Sequence, residues 1–85
     1  MELSYIQDQI TKAIGARLSY LGMTFVELSK LTGIDDNKLS KAFSRRRFLK
    51  ADEFVAICTC LDLKMDEIIS EDMKHKLETV WGNDW

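Results

Sequence analysis

Proline is absent from this 85-residue chain, glycine occurs four times, cysteine twice and histidine once. No proline-rich, repetitive or low-complexity stretch marks a linker, so the chain reads as one domain over residues 1–85. No apolar run approaches the ~20 residues that span a bilayer. The opening MELSYIQDQ has neither the basic nor the apolar segment of a secretory signal, and a cytoplasmic protein is expected. Cys58 and Cys60, two apart on an expected helix, point to nearly opposite sides and are poorly placed to pair. With a single histidine elsewhere they do not complete a zinc set, and both are expected in or near the core. No nucleophile elbow, metal-ligand spacing or phosphate-binding glycine loop is present. Neither catalysis, a cofactor nor a small-molecule ligand is expected.

Surplus positive charge is missing too: the net charge is −2. Its distribution carries more than its sum. Residues 1–34 balance three acids against three bases. Residues 35–50 set Asp35 and Asp36 against Lys38, Lys41, Arg45, Arg46, Arg47 and Lys50, a surplus of +4. Residues 51–85 hold nine acids and three lysines, −6.

The spacing of apolar residues predicts a helix over 2–21, with Ile6, Ile10, Ile14 and Leu18 on one stripe and Leu3, Ala13 and Leu21 widening it. Gly15 within it should cost about 1 kcal/mol against alanine, which suggests close approach of another helix. Gly22 ends the helix. Thr24 with Glu27 is a capping box that opens a second helix. Gly33 supplies the positive φ needed to leave it, and Asp35 can accept from the free N–H groups opening a third. Val26, Leu28, Leu31, Ile34, Leu39 and Ala42 are expected to meet inside this corner, which has the layout of a helix-turn-helix. A fourth helix over 51–61 should turn Phe54, Ile57, Cys58 and Leu61 inward. A fifth is expected to run unbroken from Met65 to Trp81, because Ile69, Met73, Leu77 and Trp81 repeat every four residues.

The run T-x-x-E-L-S-x-x-T-G-I-x-x-x-x-L-S over Thr24 to Ser40 resembles the helix-turn-helix of the lambda-repressor-like group, which includes phage Cro and repressor proteins and XRE-type regulators. The resemblance covers about residues 6 to 70, with F-L-K-A-D-E-F-x-x-I-C-x-x-L-D-L-x-x-D-E-I resembling the later part of small phage repressors. It implies an all-α, five-helix domain, to which the four-residue repeat adds an extended last helix within a C-terminal extension of about 71–85. It also implies a sequence-specific DNA-binding regulator, of Cro type from a phage or prophage, acting as a homodimer on double-stranded DNA.

In such proteins the second motif helix enters the major groove. The resemblance therefore makes Asp36, Asn37, Lys38 and Lys41 the expected base readers, with Asn37 suited to adenine and Lys41 to guanine. Asp36 equally suits a role at the helix start. Ser40, Ser44, Arg45, Arg46, Arg47 and Lys50 are the expected phosphate contacts, and Ile69, Met73, Leu77 and Trp81 the expected dimer interface. Two departures stand out. Relatives often carry glycine near Arg45, and they often carry glutamine where this chain has Phe25. That phenylalanine should pack on the loop near Phe48 or mark a surface that meets protein. Core packing is the default for Tyr5, Tyr20, Trp81 and Trp85, and a dimer contact is the alternative. Phe25, Asp36 and the acidic second half also leave open a protein-interaction module that keeps this fold without binding DNA, such as an antirepressor.

Overall fold

The computed structural model describes residues 3–81 of the chain and the side chains of residues 5–76. The described residues form six helices and no strand: α1 Leu3–Leu21, α2 Phe25–Thr32, α3 Asp36–Phe43, α4 Ala51–Leu61, α5 Met65–Ile68 and α6 Glu71–Trp81. The protein is all-α, with one helix more than the sequence suggested. No helix among these residues is long and apolar enough to cross a membrane.

The core gathers one or two residues from each of α1 to α5 and from two of the connections. Ile14 and Leu18 come from α1, Leu28 from α2, Ile34 from the turn, Leu39 from α3, Ile57 and Leu61 from α4, Leu63 from the next connection and Ile68 from α5. Ile10, Ala13, Met23, Phe25, Phe43, Leu49, Phe54 and Cys58 pack around them, half-buried. Ile6 is half-buried as well. Val26 and Leu31 do not join the corner: they are 51% and 57% exposed. A helix of eight residues buries a single stripe, here Phe25, Leu28, Ser29 and Thr32, and Val26 and Leu31 flank it. Tyr20, at 84% exposed, is likewise outside the core.

Helix ends follow the capping residues. Glu27 N–H donates to Thr24 Oγ1 over 3.2 Å, and Thr24 N–H donates to Glu27 Oε1 over 3.3 Å. Gly22 and Gly33 take the left-handed conformation at φ 65° and 78°. Gly15 behaves differently from expectation, since a methyl group there would meet nothing within 4 Å. No helix packs closely against it. The residue borders a shallow groove with Leu18, Met23, Phe25 and Phe43.

The expected helix from Met65 to Trp81 is broken after Ile68. Ile69 is extended, at φ −83° and ψ 102°, and Ser70 restarts the chain as a cap, its Oγ accepting from Met73 N–H at 3.1 Å. Glu71 and Asp72 then stand beside the positive end of the α6 dipole. The four-residue repeat was read as one stripe, but the local hydrogen bond of Ser70 competes with helix continuation. The break folds α6 back onto α1. Tyr5 Oη donates to Asp72 Oδ2 at 2.7 Å, and Lys76 Nζ lies 4.0 Å from the centre of the Tyr5 ring. Arg17 ties α1 to α5 through Glu67. Met73 is consequently 3% exposed and Ile69 half-buried, so Met73 packs within its own chain rather than facing a partner. The other two residues expected at a dimer interface, Leu77 and Trp81, lie outside the described side chains, as does Trp85.

Gly15→Ala should stabilise the protein by about 0.5–1 kcal/mol, because the methyl group meets no neighbour and alanine is the better helix former. Met73→Ala should destabilise it by about 2 kcal/mol or more through an unfilled core position. Both are read as shifts of the urea midpoint at constant slope. A chain cut after Ser70 should lose stability in the same assay, since it loses Met73 and the Tyr5–Asp72 contact.

Candidate nucleic-acid interface

The outer face of α3 is defined by what its inner face buries. Leu39 and Ala42 retain no exposed surface. The helix opens on Asp35, whose Oδ1 accepts from Asn37 N–H at 2.8 Å. The connection from α2 is pinned from its other side. Thr32 Oγ1 donates to Leu28 C=O at 2.8 Å and accepts from Ile34 N–H at 3.2 Å, and Gly33 N–H donates to Ser29 C=O at 2.8 Å. With the turn and the buried stripe fixed, Asp36, Asn37, Lys38, Ser40 and Lys41 all face solvent. None of these five side chains is tied to another described residue by a hydrogen bond or ion pair. All four expected base readers therefore stand together with their polar groups unengaged, in a helix whose rotation is set. Asp36 lies in the first turn, where its charge also favours the helix start.

The expected phosphate contacts divide. Arg46 is exposed just past the end of α3 and Lys50 at the start of α4, and Ser40 lies on the outer face of α3. Ser44 spends its hydroxyl proton on Lys41 C=O at 3.2 Å, closing the helix. Arg46 N–H also reaches Lys41 C=O, at 2.8 Å, and this reversal forces Arg45 to φ 66°. Here the chain meets the conformation that glycine enters without steric cost, and it does so with an arginine. Arg45 is still 74% exposed along its side chain, and its Nε lies 3.0 Å from Asp8 Oδ1 on α1.

Arg47 is engaged within the fold, which the sequence reading did not foresee. Its guanidinium donates to Glu53 Oε1 at 2.6 Å and to Lys38 C=O at 3.2 Å, and the two side chains of the ion pair are only 21% and 11% exposed. Arg47 thus fastens the α3–α4 loop to both helices, with two of its five N–H groups spent inside the fold. Glu53 accepts from Lys50 N–H at 2.9 Å as well. Burial opposes its ionisation, but the Lys50 N–H and the Arg47 guanidinium outweigh this and hold its carboxyl below the ordinary value of 4.5. The sequence reading assigned Glu53 only a dipole role; its spacing of three from Lys50, at the start of α4, is the signal that it closes back on the helix cap.

Phe25 does not reach Phe48. Its ring packs on Phe43, with centroids 4.9 Å apart and planes tilted by 39°, and it is half-buried. Phe48 remains 56% exposed. Cys58 is half-buried and Cys60 exposed, both as free thiols.

Arg47→Ala should destabilise the fold by about 2 kcal/mol, since it strips a largely buried carboxylate of its partner. The stabilisation that Glu53 gains from its depressed pKa is complete above its ordinary 4.5 and is lost as pH falls through the lower folded value. Urea midpoints recorded across that range should therefore fall on acidification in the wild type, with a shallower fall in Arg47→Ala.

Comparison with protein-family models, curated proteins and solved structures found no match to this chain.

Proposed function

We propose that the protein is a sequence-specific DNA-binding regulator with a lambda-repressor-like helix-turn-helix, formed by α2 and α3, and that it acts as a repressor. The observation that carries this reading is the outer face of α3, where Asn37, Lys38 and Lys41 project without internal partners beside Arg46 and Lys50. A helix in the major groove needs hydrogen-bonding side chains uncommitted to their own fold, because base edges must be their best available partners. Asn37 suits the N6 and N7 edge of adenine, and Lys41 the O6 and N7 edge of guanine. Two copies related by a two-fold axis, with recognition helices about 34 Å apart, would read a palindromic site.

A second reading, a protein-interaction module on the same fold, is favoured by two observations. Phe25 offers no hydrogen bond to a phosphate from the position where the resemblance leads one to expect glutamine, and Asp36 keeps an unpaired carboxylate on the outer face. Two of the six bases of residues 35–50 are also neutralised by acids of the chain itself, Arg45 by Asp8 and Arg47 by Glu53.

Selection from a random duplex library at low salt tests the two against each other. DNA binding should appear, and its logarithm should fall linearly with the logarithm of salt, by about 0.9 per phosphate engaged. Arg46→Ala and Lys50→Ala should weaken binding to every sequence and reduce that slope. Asn37→Ala and Lys41→Ala should instead relax preference at one base pair per half-site, by about 1–3 kcal/mol of discrimination. Absence of binding to every duplex at low salt would leave the protein-interaction reading in its place.

A further inference from the structure

Gln7 is the one buried side chain among the described residues with an unpaired polar atom. It is 7% exposed, and its Nε2 has no hydrogen-bond partner. A buried amide left without a partner is costly, so such a group calls for an explanation beyond packing. Gln7 lines a cleft of ≈ 280 Å³ between α1 and the α3–α4 loop, together with Asp8, Arg45, Arg47 and Phe48. The cleft holds two guanidinium groups as well as the orphaned amide. Arg47 uses one donor on Glu53 and one on Lys38 C=O, out of the five N–H groups that a guanidinium carries. Arg45 is engaged only by Asp8, through Nε, in a pair whose arginine side chain is 74% exposed.

We infer that this cleft binds a phosphate-type oxyanion, with Gln7 Nε2 as its buried donor and Arg45 and Arg47 as its charged ones. The donor set fits that chemistry. Guanidinium groups match the spacing of phosphate oxygens, and an oxyanion with several acceptor oxygens can satisfy the amide and both arginines together. Asp8 offers a carboxylate to Arg45 alone and leaves Gln7 unserved. Exposed ion pairs are weak, so an incoming phosphate displaces Asp8 from Arg45 readily, and Asp8 acts as a resident competitor. At ≈ 280 Å³ the cleft has room for a phosphate group and lies at the low end of small-ligand sites. Two sources supply the same chemistry: a backbone phosphate of DNA lying along α3, or a free phosphate or phosphomonoester. Only the first rests on the DNA-binding reading.

The test is an NMR titration of the full chain, following the Gln7 side-chain amide and the Arg45 Nε–H, with inorganic phosphate in one arm and a selected or random duplex in the other. Gln7→Met removes the donor while keeping length and helix preference, and Asp8→Asn removes the competitor from a partly exposed position. A saturable shift of the Gln7 amide is expected in at least one arm. The affinity should fall about tenfold in Gln7→Met and in Arg45→Ala and rise several-fold in Asp8→Asn. A structural role alone would not give opposite signs at adjacent residues. Saturation by inorganic phosphate with no response to duplex assigns the cleft to a free anion; response to duplex with weak competition by phosphate assigns it to the DNA backbone. If no duplex binds anywhere yet phosphate moves Gln7, the DNA reading fails and the site stands. If duplex binds and Gln7 is silent in both arms, or if Gln7→Met binds phosphate as tightly as the wild type, the site is wrong and the DNA reading is untouched.

Discussion

Leu39 leaves none of its surface to water, and α3 therefore cannot turn about its own axis without exposing it. That single constraint decides which side chains α3 shows to solvent. Burying Leu39 with Ala42 puts Asn37, Lys38 and Lys41 outward, and the core that receives Leu39 is assembled from Ile14, Leu28 and Ile57, equally buried. Packing inside thus positions polarity outside, and a substitution that loosens Leu39 would disturb the polar outer face of α3 without touching it. The caps at Thr24, Gly33 and Asp35 complete the constraint by fixing where α3 begins.

Basic residues close in sequence serve different purposes once folded. Arg45, Arg46 and Arg47 read as one patch, yet the structure gives them three roles: Arg45 pairs with Asp8 across to α1, Arg46 stays in solvent, and Arg47 is sealed against Glu53. The acids of the second half are not simply repulsive to a polyanion. Glu53 locks the loop, Glu67 holds α1 through Arg17, and Asp72 receives Tyr5. Net charge describes the chain poorly because much of it is committed internally.

The sequence made the helical class, the first four helices and the two glycine-ended turns legible, since periodicity and capping are local signals. What was missed was one local cap and several tertiary contacts. Ser70 looked like one polar residue in a long amphipathic repeat, whereas its hydroxyl starts a new helix and sends Met73 inward. The four base-reading candidates of α3 were named through the resemblance of the motif, and all four are exposed in the structure. The fate of Arg47 could not be foreseen, because its partner carbonyl on Lys38 becomes available only after the loop has doubled back. Gln7 and Asp8 carried no local mark at all; they matter through a loop nearly forty residues further along the chain.

The hydrogen bond from Tyr5 to Asp72 spans 67 residues of chain and lies at the surface. Closing so long a loop is entropically slow compared with forming the corner of α2 and α3, whose contacts are local. On this ground the corner is expected to condense before α6 docks, an order that φ-values at Leu39 and Met73 would test. Run backwards, the same order makes the α6 end the first to open, so amide exchange and proteolysis should begin there while α3 is still held in place.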